Sequence, residues 1–139
     1  MLIGCPTEIK PQEFRVGLTP SAASELVPHG HQVLLQSRAG LGAGFTDDDY
    51  RAAGAEIAPD AKTVFDRAEM IGKVKEPQAV ERAMLRRGQV LFTYLHLAPD
   101  PEQTRDLLNC GVTATAYATA TDPRGRLPLL APTSEVAGR

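Results

Sequence analysis

No stretch of this sequence approaches the roughly 20 consecutive apolar residues that span a bilayer. Its N-terminus has no basic region followed by an apolar run, so neither a membrane anchor nor a signal peptide is expected. Net charge is nearly absent too: 15 lysines and arginines face 17 aspartates and glutamates, leaving −2. That balance gives no reason to expect nucleic acid or anionic lipid as a partner. Cysteine is scarce, with only Cys5 and Cys110. Both read as core residues of strands, and buried thiols of a cytoplasmic protein are expected in preference to a disulfide. Repeats and low-complexity tracts are missing.

A dinucleotide fingerprint is missing as well. Gly40, Gly42 and Gly44 are spaced G-x-G-x-G, not G-x-G-x-x-G, and Thr46-Asp47-Asp48-Asp49 follows. Those carboxylates suit a helix N-terminus but repel a pyrophosphate, so the segment is expected to be a tight structural turn. His29 and His31 flank a helix-ending glycine without a carboxylate or cysteine partner, and no metal site is expected.

What is present fits one compact domain: 139 residues, 42% hydrophobic and 23% charged. Short apolar runs at Leu2–Cys5, Gln32–Gln36, Glu56–Ala58, Met70–Val74, Val90–Tyr94 and Val112–Ala116 read as strands. Between them lie helix signals: Thr19-Pro20, Asp47 to Ala53, Asp60, Pro77 running to near Gly88, and Asp100-Pro101. Ser134 reads as the cap of a final helix after the proline-broken run Leu127–Pro132. The alternation predicts an α/β fold, a three-layer Rossmann-like or flavodoxin-like domain whose mainly parallel sheet is flanked by helices.

In such a sheet every strand presents its carboxyl end on one edge, where ligands bind. Arg15 follows the first strand, Lys75 the Met70–Val74 strand and His96 the Val90–Tyr94 strand, so all three are expected on that edge. Arginine can grip a carboxylate with two charge-assisted hydrogen bonds, lysine can polarise a carbonyl, and histidine can exchange a proton near neutral pH. Together they suit a small 2-oxo or 2-amino acid undergoing proton-coupled chemistry. Each also has a plainer reading: a solvated loop arginine, a Lys75–Glu76 surface ion pair, a half-buried histidine. Ser134 can be a helix cap or a ligand contact. Glu8 can orient Arg15 or Lys75, or be a surface acid.

Pro6-Thr7-Glu8-Ile9-Lys10, Arg15-Val16-Gly17-Leu18-Thr19-Pro20, the Ala39–Phe45 segment with Asp47 to Tyr50, and Ala53-Gly54-Ala55 resemble the amino-terminal domain shared by alanine dehydrogenases and proton-translocating transhydrogenases. Val74-Lys75-Glu76-Pro77, Leu91 to Pro99, and Leu127 to Pro132 with Ser134 to Arg139 resemble alanine dehydrogenase specifically, with His96 the discriminating residue. The resemblance implies that Arg15 and Lys75 bind substrate, that His96 is the acid/base and that Ser134 contacts NAD. It implies an oxidoreductase interconverting L-alanine with pyruvate and ammonia, cytoplasmic and homo-oligomeric, a hexamer when complete. Ala118 stands where members often carry glutamate, and Thr133 where methionine is common. On this reading residues 1–133 form the substrate-binding domain, and 134–139 begin a linker helix toward an NAD-binding domain that the chain, truncated there, does not include. The fragment alone is expected to be inactive. The alternatives are a transhydrogenase-type domain or a non-catalytic module that binds small molecules or self-associates through Leu127–Leu130.

Overall fold

The computed structural model describes residues 1–138. The apolar runs become six strands: β1 (Leu2–Cys5), β2 (Gln32–Gln36), β3 (Glu56–Ala58), β4 (Met70–Gly72), β5 (Val90–Thr93) and β6 (Thr113–Ala116). They form a single sheet in the order β3-β2-β1-β4-β5-β6, and every neighbouring pair is parallel. This is the Rossmann strand order: the chain builds outward from β1 on one side, then restarts on the other side at β4.

Parallel strands need crossovers, and short helices supply them. They are α1 (Pro20–Leu26), α2 (Asp47–Ala52), α3 (Ala61–Arg67), α4 (Ala79–Arg82) and α5 (Pro101–Cys110). Alternation along β2 sorts its side chains between two cores. Val33 and Leu35 join Ala23 of α1 and Tyr50 of α2, whereas Leu34 joins Val64 and Phe65 of α3 and Leu107 of α5. Each face of the sheet therefore has its own apolar layer, which makes the domain three layers deep. The helix starts are fixed by side-chain oxygens, as the sequence predicts. Thr19 accepts from the Ala22 N–H at 3.2 Å, Asp60 from Thr63 at 2.8 Å and Asp100 from Gln103 at 3.0 Å. Thr46 and Asp49 complete a reciprocal capping box on α2.

Four local expectations are corrected. β4 ends at Gly72, not Val74, although pairing persists: the Lys73 N–H donates to Phe92 O at 3.0 Å, and the Tyr94 N–H donates to Val74 O at 3.1 Å. Pro77 does not open a long helix. It is buried ahead of the Gln78 cap, its carbonyl accepts from the Arg82 guanidinium at 3.1 Å, and α4 is a single turn. Ser134 does not cap the last helix. It lies inside α6 (Ala131–Ala137), with Pro132 in the first turn, where a missing N–H costs nothing. Cys110 ends α5 and is not in a strand; both cysteines are free thiols. Cys5 is fully buried, and burial pushes its thiol up to about 12, far from any reactive thiolate.

Among the described residues no helix is long and apolar enough to cross a membrane. No group of three or more His, Cys, Asp or Glu side chains among them is placed to hold a metal ion.

Candidate active site

Arg15, Lys75 and His96 follow β1, β4 and β5, three adjacent strands at the centre of the sheet. Because those strands are parallel, the three residues leave the sheet at the same edge. The β1/β4 boundary, where strand order reverses, is where open sheets of this kind form their crevice.

The loop from Thr7 to Leu18 folds back across the end of β4, and a glycine permits it. A Cβ on Gly17 would lie 2.6 Å from Gly72 O and 2.9 Å from Lys73 Cα. The loop carries Glu8 inward. Glu8 Oε1 accepts from the Val74 N–H at 2.7 Å, while Oε2 accepts from the Lys75 N–H at 3.3 Å and from Lys73 Nζ at 3.1 Å. Lys73 Nζ also reaches Glu81 Oε1 at 2.8 Å, and Glu81 Oε2 accepts from the Gln78 N–H at 2.8 Å. The side chains of Lys73, Glu8 and Glu81 are 1%, 2% and 3% exposed. The sequence reading singled out Lys75 and passed over Lys73, which is a buried ammonium between two buried carboxylates. Glu8 is not a surface acid, and it meets Lys75 through the backbone.

Arg15 stands above this group with its side chain 53% exposed. Its fork is already filled. Nε and Nη2 each lie 2.7 Å from an oxygen of Glu13, and the Arg15 N–H donates to the same carboxylate at 3.0 Å. The Arg15 side-chain bonds hold the Glu13 carboxyl down at about 2, with Lys75 adding a smaller pull. Glu13 thus stands where a carboxylate ligand of Arg15 would.

Beside Arg15 opens a cleft of about 380 Å³ lined by Val16, Phe45, Val74, Tyr94, Tyr117 and Leu129. Tyr94 forms one of its walls. The Tyr94 ring stacks with that of His96 at a centroid distance of 6.3 Å and meets Tyr117 at 5.0 Å. Its hydroxyl is 3.1 Å from Thr133 Oγ1 and donates to Leu129 O at 3.4 Å. His96 lines the adjoining hollow with Leu97, Ala98 and Ala118, on the far side of Tyr94. The structure thus places Arg15 in the cleft, Lys75 half-buried outside the cleft lining, and His96 next door. Tyr94, Tyr117 and Glu13 are the members that sequence reading missed. Aromatic residues at the ends of strands were the available signal.

His96 is held in an uncommon conformation, with φ at 50°. Leu95 before it is buried, and its carbonyl accepts from the Gln103 side chain of α5 at 2.6 Å. Burial tends to raise the Glu76 carboxyl, but its ion pair with Lys10 and the nearby His96 hold it below the usual range. Glu76 Oε2 has no hydrogen-bond partner.

The glycine-rich segment is a packed turn. Leu41–Ala43 form a 3-10 turn, and Gly40 is packed so closely on Tyr50 that a Cβ there would sit 2.6 Å from the ring. Three aspartates follow in the first turn of α2. Ser134 donates its hydroxyl to Leu130 O at 3.4 Å, on an exposed helix.

Comparison with known proteins agrees with this geometry. The family described as "Alanine dehydrogenase/PNT, N-terminal domain" matches residues 4–137. The alanine dehydrogenase of Halomonas elongata is 58% identical over all 139 residues, which correspond to 38% of that protein. That of Bacillus subtilis is 55% identical, with 36% of it covered. A solved L-alanine dehydrogenase superposes over the whole chain with a TM-score of 0.96 and 52% identity, covering 38% of that protein. A transhydrogenase from Sinorhizobium meliloti superposes over 84% of the chain and 33% of its own length, with a TM-score of 0.76 and 29% identity. The chain thus spans well under half the length of these relatives. Fold, sheet order and sequence lead to one conclusion: this chain belongs to the family of alanine dehydrogenase and transhydrogenase amino-terminal domains.

Proposed function

We propose that this chain is the substrate-binding part of an NAD-dependent alanine dehydrogenase, interconverting L-alanine with pyruvate and ammonia. The observation that carries the reading is the arrival of Arg15, Lys75 and His96 at one sheet edge from three adjacent strands, beside a small cleft. The relatives' names supply the substrate; the residues supply the chemistry. Arg15 holds the substrate carboxylate once its fork leaves Glu13. Lys75 donates to the C2 oxygen of pyruvate, and to the same oxygen when water has added at C2 on the way between imine and ketone, where its charge helps most. His96 takes a proton from the adding water and returns one to the departing amine. Ser134 contributes one contact to the cofactor. Residues 1–133 are the substrate domain and 134–139 lead onward from it. The complete enzyme is a cytoplasmic homo-oligomer.

Titrating the purified chain with pyruvate by calorimetry tests the reading. A charge-assisted hydrogen bond contributes about 1.5–3 kcal/mol, so Lys75→Ala should weaken binding by roughly 10- to 150-fold. Equal affinity of the two proteins would refute the role given to Lys75. Alanine-dependent NADH formation by the chain alone should be absent, and clear turnover would refute its reading as one part of a site.

A further inference from the structure

We propose that Glu8 is a positioning residue for Lys75, acting through the backbone, with Lys73 and Glu81 as its electrostatic support. The proposal rests on the substrate-binding reading of Lys75. Both polar backbone groups of Lys75 are held: its N–H by Glu8 Oε2 at 3.3 Å, and its C=O by the Thr93 hydroxyl at 2.8 Å. The preceding N–H, on Val74, is held by Glu8 Oε1 at 2.7 Å. The Lys75 Cα is therefore fixed between the loop that follows β1 and the end of β5, and only the side-chain stem is left to move.

The chemistry requires a carboxylate at position 8. Three donors converge on its two oxygens: two backbone N–H groups and the Lys73 ammonium. An ionised carboxylate is acceptor-only and can serve all three. A buried carboxylate in turn needs a cation, which Lys73 provides from the end of β4. Glu81 holds Lys73 in place and caps the turn that follows. This explains why the segment carries two lysines two residues apart. Lys73 stays inside with the carboxylates, and Lys75 is half-buried with its ammonium in no ion pair among the described residues.

Glu8→Gln is the informative change. It leaves Lys73 and Glu81 as a neutral pair, so no uncompensated charge is created. It replaces one acceptor by an NH₂ donor that faces other donors, which frees at least one of the two N–H groups. In the ¹⁵N-labelled chain, hydrogen exchange at Val74 and Lys75 should rise about tenfold or more while the β1 and β2 amides keep their protection. Pyruvate titration followed by chemical shifts should show binding weakened by about tenfold. The double variant Glu8→Gln/Lys75→Ala should be no weaker than Lys75→Ala alone, because both act through one contact. Should Glu8→Gln fail to fold, Glu8→Asp keeps the charge for Lys73, withdraws the carboxylate by one methylene and should act in the same direction. Unchanged pyruvate binding in a folded variant, or losses that simply multiply in the double variant, would overturn the proposal alone. A wild-type spectrum that does not respond to pyruvate would overturn the substrate reading and the proposal with it.

Discussion

Lys73→Met puts the buried charge cluster to its most direct test. Methionine fills much of the same space, so the change removes the ammonium and little packing. What remains is a pair of carboxylates, Glu8 and Glu81, that faced Lys73 at 3.1 and 2.8 Å, with all three side chains no more than 3% exposed. Removing one partner from a buried ion pair costs about 3–5 kcal/mol, because the other charge is left uncompensated. A chain of 139 residues unfolds with an entropy of about 0.3 kcal/mol/K, taking roughly 2.1 cal/mol/K per residue. Tm should therefore fall by about 10–17 °C in a thermal scan followed by far-UV circular dichroism. A solvated lysine in a surface pair would cost under about 1 kcal/mol, which is about 3 °C or less. Lys75→Met provides that control, since its ammonium makes no ion pair among the described residues. Glu8→Gln, Lys73→Met and Glu81→Gln together should recover part of the loss, because no lone charge is then buried. A Tm change for Lys73→Met no larger than that of Lys75→Met would refute the reasoning.

Two further expectations follow from the loop that crosses β4. Gly17→Ala drives a methyl group into the backbone of Gly72 and Lys73, at 2.6–2.9 Å, and neither can rotate away. A loss of about 1–3 kcal/mol is expected, read as a lower urea midpoint with an unchanged slope; an unchanged midpoint would show that the loop lifts off freely. The second concerns pH. The Glu13 carboxyl is held at about 2 in the folded chain against an ordinary 4.5, chiefly by the Arg15 side chain. A carboxyl depressed by folding stabilises fully above its unfolded value and loses that contribution as pH falls through the folded one. The Tm advantage of wild type over Glu13→Gln should thus be constant above about pH 5, shrink below 4.5 and vanish near 2. It should also weaken in about 1 M salt, because Arg15 is open to solvent. An advantage that persists at pH 2 would contradict the pairing.

Most strands were legible as short runs set off by a nearby proline or glycine, such as Pro6, Pro59 and Gly111, and caps were legible because they are local. The shared edge of Arg15, Lys75 and His96 followed from parallel pairing alone. The inner lysine was not legible. Lys73 lies within the Met70–Val74 run, and its partners Glu8 and Glu81 are 65 and 8 positions away, where no local pattern links them. Proline misled twice for one reason. Its fixed φ and missing N–H suit both the residue before a cap, as at Pro77, and the first turn of a helix, as at Pro132, and only tertiary packing separates the two. The glycine-rich segment was correctly read as a turn from the aspartates after it. The reason for Gly40, the Tyr50 ring lying against it, needed coordinates.

The position of β1 at the centre of the sheet has a consequence for how the chain acquires its structure. Both halves converge on β1: Leu2 is registered with Gln32 on one side, and Ile3 with Met70 on the other. During synthesis at about 5–20 residues per second, β1 can pair with β2 some seconds before β4 exists. Through that interval its second edge, with Ile3 and Gly4 in the pairing register, is an open template for another nascent chain. A mutation that delays β4, or a fusion that crowds Met1, whose carbonyl receives the Gln32 N–H at 3.0 Å, should therefore lower the yield of folded protein more than it lowers the stability of what has folded.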